Sequence, residues 1–182
     1  MSQAVLLEPG AEYTRERIEL LWGDRKSLDL NEILDLPIPA IDRVWFLTRP
    51  DRLSPEVAFE CACRAASRTL DRAEQMKEDV EMQRKAIKVA RAKKKKKTED
   101  FAKVYFADPR TRNFWSLPAS YCLQNTRHNI PVYSAAALAS AASYKGCYDN
   151  ETERQVADFR ELLQPAEKVF GEGLLEPLAV GA

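Results

Sequence analysis

Between Glu56 and Asp108 the chain contains neither proline nor glycine. Ala, Glu, Lys, Arg and Leu, all strong helix formers, are prominent in it. An uninterrupted stretch of that chemistry leaves helix as the only regular structure it favours. With six glycines in 182 residues and 31% charged side chains, it predicts an all-α fold, a single-domain helical bundle of about six or seven helices with a loop-rich insertion. No change of composition splits the chain, so one helical domain is expected over residues 1–170, followed by a flexible tail over 171–182.

The stretch opens on a strong start signal. Ser54 offers a side-chain acceptor, Pro55 presets the first helical position, and Glu56 complements the positive end of the dipole. At about 100° per residue, Ala58, Phe59, Ala62, Cys63, Ala66, Thr69, Leu70 and Ala73 fall in one stripe, with Glu60, Arg64, Ser67, Arg68 and Asp71 opposite. Cys61 and Cys63 are then separated by about 200°, so their thiols diverge and do not close on one ion. Cys63 reads as a small core residue. Cys61 lies at the stripe's edge beside Arg68 and Arg72, where positive charge lowers a thiol pKa.

Four cysteines in all are too few for a disulfide framework. Met76, Val80, Ile87 and Ala90 continue the stripe, which fits one long helix or two consecutive ones; the acids of "KEDVE" favour two, with a break near Glu74 to Asp79. That second helix closes on "RKAIKVARAKKKKK", and Thr98, Glu99 and Asp100 resemble the cap of the next, with Phe101, Ala102, Tyr105 and Phe106 on its buried side. Outside this stretch, helices are expected from Glu12 to Trp22 with Gly23 as C-terminal cap, and as a short turn capped by Asp29 or Asn31. Others follow from Pro39 to Leu47, over "VYSAAALASAASYKGCY", and from Asn150 to Leu163, stopping before Pro165. Residues 109–131 lack a clean period and read as loop with a short helical turn near Ser120 to Asn125.

The sequence carries few signs of chemistry. Basic and acidic residues number 28 each, so no overall field recruits a polyanion, and any charged partner has to be met by a local patch. His128 is the only histidine, which excludes a multi-histidine metal site, and no phosphate loop, G-x-S-x-G or H-E-x-x-H motif is present. No catalytic residue, metal ligand or cofactor is predicted.

Two surfaces remain as binding candidates. Arg110, Arg112, Phe114 and Trp115 combine the residue types of protein-interface hot spots, although the aromatics also suit a core. The basic helix 84–97, with Arg91, Lys93, Lys94, Lys95, Lys96 and Lys97, suits nucleic-acid phosphates, although a solvated helix end whose cations complement the negative pole gives the same pattern. No stretch approaches eighteen apolar residues and the amino terminus lacks a signal-peptide pattern, so a cytoplasmic protein with no membrane partner is expected.

The region "LDLNEILDLPIPAIDRVWFLTRPDRLSPEVAFECACRAASRTL" carries an N-E-I-L turn at Asn31 to Leu34 and D-R-x-W at Asp42 to Trp45. It also carries R-P-D at Arg49 to Asp51, Pro55-Glu56, and F-x-C-x-C-x-x-A at Phe59 to Ala66. In these features it resembles a family of alanine-rich helical proteins of bacteria and phages labelled immunity proteins. The likeness resumes weakly at "RKAIKVAR" and "ETERQVADFRELL", and residues 101–133 depart from it. It implies a non-catalytic protein with a protein partner, in an immunity or counter-defence role. The alternative left open by the residues is a nucleic-acid-binding accessory protein.

Overall fold

A computed structural model describes residues 15–24, 28–48, 52–128, 132–143 and 148–166. Among these, nine α-helices and two 3-10 turns account for all regular structure. The expected tail over 171–182, Gly146 and Pro50 lie outside the described residues, as do residues 12–14 of the expected first helix.

The first two helices follow their caps. Helix α1 (Arg15–Trp22) ends at Gly23, whose φ of 57° is the left-handed conformation that residues with a Cβ avoid. Helix α2 (Leu30–Leu34) starts on a reciprocal cap in which Asp29 Oδ1 accepts from the Glu32 N–H and Glu32 Oε2 from the Asp29 N–H, both at 2.8 Å. Helix α3 (Ala40–Leu47) buries Ala40, Val44 and Leu47. Ile41 and Trp45, expected on that face with Val44, are only half-buried.

Helix α4 (Pro55–Gln75) is the centre of the bundle. Ser54 Oγ accepts from the Val57 N–H at 3.2 Å, as the start signal requires. The whole predicted stripe is buried, and so are Cys61 and Ala65. Helices α5 (Glu81–Arg91), α7 (Leu117–His128), α8 (Val132–Ala142) and α9 (Tyr148–Ala166) all pack against α4. Surrounded on several sides, it buries more than the one stripe that a surface helix would.

The proline-free stretch breaks twice. After α4, Lys77 takes φ 65°, and the Glu78 N–H reaches back to the Ala73 carbonyl at 3.0 Å, a left-handed helix stop built on a lysine. Arg84 then ties α5 to α4 through Asp71 (2.8 Å) and Glu74 (2.6 Å). The second break corrects the expected basic helix 84–97: α5 ends at Arg91, Lys93 takes φ 49°, and α6 (Lys95–Ala107) begins on the lysine run itself. Thr98 is not a cap. It is fully buried, and its Oγ1 donates to the Lys94 carbonyl at 3.1 Å. Thr98, Ala102 and Tyr105, one or two turns apart, face the core, and that spacing sets the start of α6 a turn earlier than its acids suggest.

The expected loop over 109–131 is mostly helical. Pro109–Thr111 and Phe114–Ser116 form 3-10 turns, and α7 extends well beyond the predicted turn. Pro118 sits in the first turn of α7, where a missing N–H has no intrahelical partner to lose. Helix α9 buries Val156, Phe159 and Leu163 as expected but continues through Pro165, which forfeits only one last-turn hydrogen bond. No described helix is long and apolar enough to cross a membrane.

Candidate functional site

The hot-spot candidate divides between structural duties and surface. Arg110 donates to Asp108 at 2.7 Å, lies 3.6 Å from Asp79, and holds the Asp108 carboxyl below its usual range. Trp115 is buried, with its ring centroid 6.2 Å from that of Phe114. Arg112 and Phe114 are exposed. The neighbouring backbone is fixed by Asn113 Oδ1, which accepts from the Ser116 N–H at 3.0 Å and from Ser116 Oγ at 2.6 Å. Gln83, buried in α5, donates to Ser116 Oγ at 2.8 Å. Trp115 therefore leaves the candidate interface and joins the core.

The cysteine helix confirms one reading and corrects the other. Cys63 is fully buried and meets Cys122 of α7, whose thiol is pushed well up by its hydrogen bond with Cys63 and by burial. Cys61, read as an edge residue with a lowered pKa, is also fully buried. Desolvation pushes its thiol far up, and nearby Asp158 adds to that; Arg64 and Arg68 offset it only in part. Cys147 lies outside the described residues. Among the described residues no group of three or more His, Cys, Asp or Glu is placed to hold a metal ion.

A cluster missed by sequence reasoning lies between α4 and α9. Arg64, Arg68 and Arg72 stand one turn apart on α4 and face Glu151, Asp158 and Glu161 of α9. Glu151, fully excluded from solvent, accepts from Arg68 at 2.8 Å and Arg72 at 3.4 Å. Arg68 also reaches Asp158 at 2.7 Å, and Arg64 reaches Glu161 at 2.9 Å. The i, i+4, i+8 spacing of the arginines was the available signal. That spacing names no partner, because the carboxylates lie some eighty or more residues away.

The lysine run has a geometry that neither sequence reading foresaw. Lys88 and Arg91 close α5, where cations suit the negative pole, and Arg91 is engaged by Glu60 at 2.8 Å. Lys95, Lys96 and Lys97 instead form the first turn of α6, at the positive pole, with no side-chain cap at Lys94 and no acid in that turn. Lys93 to Lys97 are all exposed, and none forms an ion pair among the described residues. Lys93 Nζ lies 5.6 Å from the Phe59 ring centroid. The junction thus concentrates five cations, and at Lys95, Lys96 and Lys97 the helix dipole adds to their repulsion.

His128, the last residue of α7, lies beside this junction with its ring 6.3 Å from Tyr133. No family model, curated protein or solved structure matches this chain.

Proposed function

We propose that this chain is a non-catalytic binding protein that captures a protein partner through the α5–α6 junction, against an acidic face of that partner. The observation that carries this reading is the placement of Lys95, Lys96 and Lys97 in the first turn of α6. Cations there oppose the helix dipole, at about 0.3–1 kcal/mol each. The arginines Arg43, Arg64, Arg68, Arg72, Arg84, Arg91, Arg110 and Arg160 are all engaged by carboxylates of the chain itself. The lysines of the junction are left for an external anion.

Two features favour a protein partner. The balanced charge supplies no overall attraction for nucleic acid. The resemblance to immunity proteins implies a protein partner, in an immunity or counter-defence role. Burial of Cys61, Cys63 and Cys122 away from solvent supports a non-catalytic role. Arg112 and Phe114 form a second, smaller candidate contact.

The consecutive lysines favour one other reading, a nucleic-acid-binding accessory protein. A helix N-terminus ringed by cations suits phosphate oxygens. Arg91 leaves that set because Glu60 holds it.

Titration with DNA, RNA and poly-glutamate at two salt concentrations separates the two. Binding of poly-glutamate that is lost in Lys94→Gln/Lys95→Gln/Lys96→Gln, with nucleic-acid binding no tighter than about 10⁻⁶ M near physiological salt, supports the protein partner. A tighter, steeply salt-dependent nucleic-acid complex lost in the same variant supports the alternative.

A further inference from the structure

The first turn of α4, the α5–α6 junction and the last turn of α7 meet around a cleft of about 320 Å³. That volume is at the lower end of small-molecule sites, which run from about 300 to 1,000 Å³. Four of its side chains are basic: Lys93 and Lys95 from the junction, Arg127 and His128 from α7. One, Glu56, is acidic, and Phe59 gives it an aromatic wall. Thr126 Oγ1 donates to the Ala90 carbonyl at 3.1 Å, which fixes the end of α7 to the end of α5 and so holds the cations in a common frame.

Lys93, Lys95 and Arg127 make no ion pair among the described residues. Gathering them on one concave surface is unfavourable, since like charges repel and no carboxylate pairs with them. An anion in the cleft reverses the sign of that interaction. The charges also select the anion. Three permanent cations minus one carboxylate leave two positive charges, and a phosphate monoester carries about −1.5 to −2 at neutral pH, where a carboxylate brings half as much. Arg127 offers a planar fork for two phosphate oxygens, and the lysines serve as point charges.

We infer that this cleft is a binding site for a small phosphate monoester, the phosphate held by Lys93, Lys95 and Arg127 and the organic part lying against Phe59. The cleft shares Lys93 and Lys95 with the junction proposed above as the macromolecular surface and adds Arg127, His128 and Phe59, whereas Lys94, Lys96 and Lys97 do not line it.

His128 provides the reporter, because the chain has only one histidine and its Cε1–H resonance is unambiguous. The full chain is titrated with AMP and, separately, with adenosine at constant ionic strength, and the His128 resonance is followed. A saturable shift with AMP at a dissociation constant below about 1 mM, and none with adenosine, is expected. Lys95→Gln/Arg127→Gln should weaken AMP binding by about ten-fold or more with the helical circular dichroism unchanged. Glu56→Gln, which removes the one acid, should tighten it by about two- to five-fold. Lys94→Gln/Lys96→Gln, outside the cleft, should change it by less than about two-fold. No saturation with AMP, an equal response to adenosine, or a Lys95→Gln/Arg127→Gln protein that binds AMP like the wild type overturns the assignment.

Discussion

The guanidinium of Arg68 holds the carboxylate of Glu151 at 2.8 Å in a position from which solvent is fully excluded. A carboxylate so enclosed depends on its partners, because nothing else compensates its lost hydration. Arg68→Ala should therefore destabilise the protein by about 3–5 kcal/mol in a denaturant titration, far more than loss of an exposed pair. Lys103→Ala, which removes the exposed 3.9 Å contact with Asp100, should cost less than about 1 kcal/mol. Equal costs at the two sites would show that Glu151 is solvated.

Burial of Cys61, Cys63 and Cys122 makes them chemically silent in the native state. In a Cys147→Ser background, none of the three should react with a thiol reagent faster than the protein unfolds, since the Cys61 and Cys122 thiols are both pushed upward. Rapid modification of Cys61 with the fold intact would restore it to the edge of α4. Cys63→Asp should cost several kcal/mol, about as for any unpaired buried charge, and Cys61→Asp should now be comparably severe.

Charge reversal at the start of α6 should stabilise the protein. Lys96→Glu places an acid at the positive pole and removes a lysine from a crowded cluster, a gain of about 0.3–1 kcal/mol at low salt. The gain should shrink as salt rises. A loss of stability on this change would mean that α6 does not begin at Lys95.

Acid should weaken the exposed arginine–carboxylate contacts in a definite window. Hydrogen bonds hold Glu161 (from Arg64), Glu74 (from Arg84) and Asp108 (from Arg110) below their ordinary values of 4.5, 4.5 and 3.8. Their contribution is complete above those values and disappears as pH falls through the lowered folded-state ones. Carboxyl titration by NMR should find all three depressed, and Arg84→Gln should return Glu74 alone to the ordinary range.

What the sequence made legible was mostly local. Ser54-Pro55-Glu56, Gly23 and the Asp29–Glu32 pair each announce a helix end through the atoms of a single turn. The break near Glu74 to Asp79 was announced by its acids, but the one after Arg91 was harder, because its left-handed position falls on Lys93 rather than on glycine. Helix α7 was hidden by Pro118 and by polar residues that interrupt its period. Glu151 was invisible as a core residue: the arginines that pair with it stand on α4, far away in sequence. The cleft beside His128 draws on three separated helix ends, so no window of sequence contains it.

The buried surface of α4 is built largely from Ala58, Cys61, Ala62, Cys63, Ala65, Ala66 and Ala73. Short side chains let neighbouring backbones approach, so an added methyl group has to displace a packed neighbour. Variation along this helix is thus bounded in one direction only. Ala66→Val should wedge the bundle apart although it is more hydrophobic, whereas solvent-facing positions such as Gln75 admit almost any size. For this chain the chemical identity demanded by the interior is less a matter of greasiness than of a ceiling on volume, set at the axis and relaxing outward.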